Sequence, residues 1–220
     1  MHEICKATLA LSCAALLSGM VLFSGGAAKA AEAEIRILAL GDSLTQGYGL
    51  PNGAEFPRQL QESLQDQGVS VSVINAGVSG DTSAGGLARL DWSLADHPHA
   101  AIIEFGGNDA LRGLAPAEVE RNLDAILTKL ADAGVPALLT GMMAPRNMGS
   151  DYAAEFDAVF PRLAEKHDVL FYPFFLGGVV LDANLMQRDG THANAEGVAE
   201  IVRRMMPVIL ELIAQAESPA

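Results

Sequence analysis

The chain has 220 residues, a formal net charge of −13 and only two cysteines. The acidic balance disfavours nucleic acid and polyanionic partners, and the length suits one domain with a sizeable core. Cys5 and Cys13 both lie close to the N-terminus, so the remainder has neither a disulfide nor a thiol nucleophile.

Residues 1–30 read as a secretory leader. Lys6 precedes an apolar segment from Ala7 to Phe23, and small residues follow, ending in Ala28-Lys29-Ala30. Ser12, Ser18 and Gly19 interrupt the apolar segment, which is short of the ~20 apolar residues of a spanning helix. The expected product is a single domain, residues 31–220, exported across the inner membrane and placed in the periplasm. It carries a formal charge of −14, because Lys6 and Lys29 leave with Glu3.

The first strand is expected at Ile35 to Leu40, ending at Gly41. A helix follows from Phe56 to Gln67, then a strand from Val69 to Ile74 and a glycine-containing loop from Asn75 to Gly80. Ala84 to Leu94 reads as a helix, and Ala100 to Phe105 as a third strand closed by Gly106-Gly107. Pro116 suits the first turn of a helix running to Ala133, with Gly134 past its end. Val135 to Thr140 is the fourth strand. Asp151 is expected to cap a helix reaching Lys166, before a short fifth strand from Val169 to Tyr172. The last helix, Ala193 to Ala214, contains Pro207, which predicts a kink or break.

Strands alternating with helices imply βαβ units, hence a parallel sheet covered on both faces. Five strands give an α/β fold, a three-layer α/β/α sandwich of flavodoxin-like order. Such sheets bind ligands beyond the carboxyl ends of their strands.

The residues able to do chemistry fall on that rim. Ser43 follows the first strand in Gly41-Asp42-Ser43-Leu44, Gly80 follows the second, and Asn108 follows the third in Gly106-Gly107-Asn108-Asp109. Asp189 and His192, three residues apart in Asp189-Gly190-Thr191-His192, precede the last helix. A serine that attacks an ester needs a base for its proton and a carboxylate to hold that base in one tautomer. Gly80 offers an unobstructed backbone N–H and Asn108 a side-chain amide, both suited to a developing oxyanion. Each has an ordinary turn or capping role as its bland alternative. Asp42 and Asp109 are rival orienting acids for His192. Ser79 is a rival nucleophile, in a near match to a G-x-S-x-G elbow that lacks the final glycine. His97-Pro98-His99 lacks a nearby third ligand, and Met142, Met143 and Met148 are candidates for lining an acyl groove.

Taken in order, the segments Gly41 to Leu44, Asn75 to Gly80, Gly106 to Asp109 and Asp189 to His192 resemble those of the SGNH (GDSL) hydrolase family. The runs Ser79 to Leu90 and Glu104 to Leu114 are most similar to its arylesterase, acyl-CoA thioesterase I and lysophospholipase L1 group. The resemblance implies Ser43 as nucleophile, His192 as base and Asp189 as its orienting acid. Gly80 and Asn108 would complete an oxyanion hole with the Ser43 N–H, and no cofactor is implied. Ala193 departs from the proline that commonly follows the histidine.

The expected activity is hydrolysis of short- to medium-chain acyl esters, with thioesters and lysophospholipids as further substrates. A carbohydrate O-acetylesterase and a catalytically silent lipid- or peptide-binding module are the alternatives. The single Trp92 and few aromatics leave little platform for sugars. The expected partner is a small-molecule acyl ester or thioester, with no nucleic acid and no stable membrane insertion after leader cleavage. A monomer is the expected assembly.

Overall fold

The computed structural model describes residues 34–218, so the leader lies outside the described residues. Five strands form one parallel sheet: β1 (Ile35–Gly41), β2 (Val71–Gly77), β3 (Ala100–Glu104), β4 (Ala137–Thr140) and β5 (Leu170–Tyr172). Their spatial order is β2-β1-β3-β4-β5, the flavodoxin-like order expected. Every residue of β3 and β4 is buried, as in a sheet covered on both faces.

The helices are α1 (Ser43–Gln46), α2 (Phe56–Asp66), α3 (Ser83–Leu94), α4 (Gly107–Leu111), α5 (Pro116–Asp132), α6 (Ser150–Asp157), α7 (Val159–His167) and α8 (Ala195–Glu217). α2 and α8 pack together, while α5 packs against both α3 and α7, giving the outer layers of the sandwich. The burial pattern shows why these segments fold so. In α5, Val119, Leu123, Ile126, Leu127 and Leu130 recur at three- and four-residue intervals and are all buried. In α8 the same spacing buries Val198, Ile201, Val202, Met205, Ile209, Leu212 and Ile213.

Four expectations need correction. The second strand continues to Gly77 rather than stopping at Ile74, because its pairing with β1 runs through Asn75, Ala76 and Gly77. The stretch from Asp151 to Lys166 is two helices, α6 and α7, that meet at Ala158. Asp151 is not the cap of the first; Gly149, in an extended conformation at positive φ, holds that place and Asp151 lies in the first turn. Pro207 does not break α8, which is continuous over 23 residues. The proline is exposed, so the carbonyl it leaves without a partner one turn earlier faces solvent and can be hydrated.

The chain runs from β1 outward to β2, then crosses to β3 and onward to β4 and β5. The switch point is therefore the cleft between β1 and β3, where an open α/β sheet places its ligands. The short helices α1 and α4 start there, one beyond each strand. Neither was expected from the sequence, since four or five residues carry no measurable periodicity.

Candidate active site

The turn after β1 presents Ser43. Gly41 is required by close approach: a Cβ there would stand 2.7 Å from Glu104 Oε2 and closer still to Thr45 Oγ1. Asp42 caps α1, its Oδ1 accepting from the Leu44 N–H at 2.9 Å. This leaves the Ser43 side chain on the rim, half-buried.

Across the rim, the Ser43 hydroxyl donates to His192 Nε2 at 2.8 Å, and His192 Nδ1 donates to Asp189 Oδ2 at 2.6 Å. A carboxylate can only accept, so the proton belongs on Nδ1 and Nε2 is left free to take one. Asp189 is itself held by its own loop, its Oδ1 accepting from the N–H groups of Thr191 at 2.9 Å and His192 at 3.0 Å. Those backbone donors, the Thr191 N–H foremost, and the His192 ring hold its carboxyl down at about 2.

The rival acids are engaged elsewhere. Asp42 Oδ2 accepts from Asn108 Nδ2 at 2.8 Å, and Asp109 accepts from the Ser83 hydroxyl at 2.6 Å and the Ser83 N–H at 2.9 Å. Ser79, the rival nucleophile, donates to Gln46 Oε1 at 2.7 Å, and among the described residues no imidazole is hydrogen-bonded to it. His99 Nδ1 accepts from the Arg36 N–H at 3.0 Å, which ties down one end of the His97-Pro98-His99 segment.

The Asn108 amide carries two hydrogens. One is fixed on Asp42; the other remains for the groove that Asn108 lines. Gly80 sits at φ +84, in the left-handed region that glycine adopts without strain, and its carbonyl accepts from Arg112 Nη2 at 2.7 Å. Among the described residues, the backbone N–H groups of Ser43 and Gly80 have no acceptor.

Ser43, Gly80, Asn108 and His192 all line one groove of about 910 Å³. Its remaining wall is largely apolar, including Leu111, Met142, Met143, Pro145, Phe174 and Val180. Met148 does not line it. Among the described residues Arg146 is the only arginine on the wall, paired with Asp157 at 2.7 Å, and Trp92 is outside the groove.

Sequence reasoning passed over three further residues. Arg89 fastens both turns at once: its guanidinium donates to the Gly41 carbonyl at 2.9 Å, the Ala76 carbonyl at 2.7 Å and Asp81 Oδ2 at 2.7 Å. Gln187 joins the acid–histidine loop to the serine turn, donating to the Tyr48 carbonyl at 2.7 Å and the Ala193 carbonyl at 3.0 Å. Glu104, at the end of β3, is buried beneath the serine turn. None of the three had a signal in the sequence beyond lying near a motif.

The geometry at Asp189 yields a direct expectation. A carboxyl-carbon NMR titration should place its midpoint at about 2. His192→Ala should raise that midpoint without restoring the ordinary aspartate value of ~3.9, because the Thr191 N–H still donates. A midpoint near the ordinary value in the unaltered protein would contradict this arrangement.

Residues 39–199 match the model of the GDSL-like Lipase/Acylhydrolase family. The chain is 42% identical over 161 residues to the thioesterase 1/protease 1/lysophospholipase L1 of Escherichia coli K12, covering 73% of this chain and 76% of that protein. It is 37% identical over 201 residues to an arylesterase of Vibrio mimicus, covering 91% and 96% respectively. Among solved structures, AlinE4, an esterase of the SGNH-hydrolase family, is 46% identical with a TM-score of 0.69, over 81% of this chain and 96% of AlinE4. With a family match across most of its length and relatives of this identity and coverage, the chain belongs to the GDSL-like lipase/acylhydrolase, or SGNH hydrolase, family.

Proposed function

We propose that this protein is a serine esterase that hydrolyses short- to medium-chain acyl esters through an acyl-enzyme on Ser43. The observation that carries this reading is the unbroken chain from Ser43 Oγ through His192 to Asp189, opening onto an apolar groove.

In the proposed reaction, His192 Nε2 takes the Ser43 proton as Oγ attacks the acyl carbonyl carbon. The carbonyl oxygen becomes an oxyanion, accepting from the N–H groups of Ser43 and Gly80 and from the Asn108 amide. The tetrahedral adduct collapses, and the imidazolium protonates the departing alcohol. Water then repeats the sequence on the acyl-enzyme, releasing the acid and restoring Ser43. Asp189, held down at about 2, stays ionised far into acid and so keeps its hold on His192 Nδ1 there.

The groove wall supports an acyl substrate over a sugar ester. Its apolar residues offer hydrocarbon contact, and among the described residues Tyr48 and Phe174 are its only aromatic carbocycles. The one arginine on the wall is already neutralised by Asp157, which favours uncharged leaving groups over large anionic carriers. Thioesters and lysophospholipids present the same carbonyl chemistry and remain within the proposed range.

Replacing Ser43 with Ala should abolish hydrolysis of p-nitrophenyl acyl esters while the protein stays folded. Asn108→Ala should lower kcat by about 10²- to 10³-fold with a smaller effect on KM, since the donor acts on transition-state charge. Near-normal rates in a folded Ser43→Ala protein would remove Ser43 as nucleophile. A raised KM with unchanged kcat would make Asn108 a substrate-binding residue instead.

Export with removal of residues 1–30 is part of the same proposal, supported by the leader-like pattern of the N-terminal sequence. Among the described residues, no helix is long and apolar enough to cross a membrane. N-terminal sequencing of periplasmic protein should read from Ala31; an intact Met1 recovered with membranes would point to an anchor.

A further inference from the structure

Two carboxyl groups are buried side by side under the serine turn, and the reaction as written uses neither. Asp42 is 2% exposed and Glu104 is 1% exposed. Glu104 stands opposite Gly41 in the pairing of β1 with β3 and opposite Thr140 in the pairing of β3 with β4. Its Oε2 accepts from the Asp42 N–H at 3.2 Å and the Thr45 hydroxyl at 2.9 Å. Its Oε1 is buried with no donor. The Asp42 carboxyl accepts from the Leu44 N–H and the Asn108 amide, both neutral donors. Among the described residues no lysine, arginine or histidine side chain donates to either carboxyl.

That inventory cannot accommodate two negative charges. A buried anionic oxygen without a donor is far costlier than a neutral one, and two carboxylates in contact oppose each other's ionisation. One proton removes both difficulties. It belongs on Glu104, which is the more deeply buried and has the orphaned oxygen, whereas both oxygens of Asp42 already receive hydrogen bonds.

We propose that Glu104 and Asp42 share a single proton, with Glu104 as the neutral acid, and that this pair is a positioning device for the Asn108 amide. Asp42 keeps the negative charge that grips one N–H of Asn108, which directs the other toward the oxyanion. Glu104 in turn fixes Asp42 from below, holding its backbone N–H and tying it to Thr45 of α1. Burial, and then the charge of Asp42, hold the Glu104 carboxyl well above the usual range, which accords with this assignment. Among the described residues no countercharge is hydrogen-bonded to either carboxyl. Arg89 reaches the Gly41 carbonyl, Thr140 donates to the Ile103 carbonyl on β3, and His192 lines the same groove as Asp42 while its ring bonds to Ser43 and Asp189.

This inference rests on Asn108 as an oxyanion donor, and two readouts separate it from that reading. Infrared difference spectra of the whole protein at neutral pH should contain a protonated-carboxyl band that disappears in Glu104→Gln. The band is independent of activity, so its absence from the unaltered protein would overturn the shared proton even if Ser43 is the nucleophile. Kinetics then test positioning. Gln keeps an acceptor for Asp42 N–H and Thr45, and supplies a neutral N–H donor, so Glu104→Gln should retain kcat within about threefold. Met has similar bulk without those groups, so Glu104→Met should lower kcat by about 10²-fold with little change in KM. Equal loss in both variants, or full kcat in Glu104→Met, would overturn the positioning role. If the Met variant does not fold, the infrared band and the rate of the Gln variant decide the question alone.

Discussion

The register in which β1 lies beside β3 governs the rest of the site. Gly41 pairs with Glu104, so the two strands end at the same level and the turns beyond them start as neighbours. One turn carries Ser43 and the other carries Asn108, and the bond from Asn108 to Asp42 closes the gap between them. A slip of one residue would turn Glu104 to the other face of the sheet and part the two turns. The buried rows of β1, β3 and β4 make such a slip costly, because each slipped strand would have to exchange the residues packed under each helical layer. Packing of the sheet is thus what aims the nucleophile.

The acid–histidine pair is held differently. It lies in the long connection between β5 and α8. Order there comes from local hydrogen bonds: Gln187 N–H to the His192 carbonyl at 2.7 Å, Asn194 N–H to the Leu185 carbonyl at 2.9 Å, and the Asn194 side chain capping α8. The Gln187 side chain then carries that order across to Tyr48, just beyond α1. A serine on a rigid rim and a base on a hydrogen-bonded loop meet at 2.8 Å, and that meeting is the chemistry.

What could be read from the sequence, and what could not, divides by distance along the chain. Ser43, Gly80, Asn108, Asp189 and His192 each lie in a short glycine-containing segment whose chemistry is local; the structure brings four of them to one groove, with Asp189 behind His192. The βαβ alternation gave the sheet because periodicity survives in a single segment of the chain. Glu104, Arg89 and Gln187 act on partners 62, 48 and 139 residues away, a relation no single segment reveals. The misjudged end of β2 has the same cause: Asn75 and Gly77 look like turn residues, but pairing with the central strand β1 overrides that preference. At Pro207 the local rule was outweighed by its setting, since an exposed face of a well-packed helix tolerates a missing bond.

The central claim is that one serine, activated by one imidazole, forms the covalent intermediate. Its most direct test is inactivation by a p-nitrophenyl alkylphosphonate, which a nucleophilic serine attacks and retains as a stable adduct. One nitrophenol per chain should be released, with the adduct mapped by peptide mass spectrometry to Ser43 and absent when His192 is replaced by Ala. An adduct on Ser79, or hydrolysis that continues with Ser43 blocked, would contradict it.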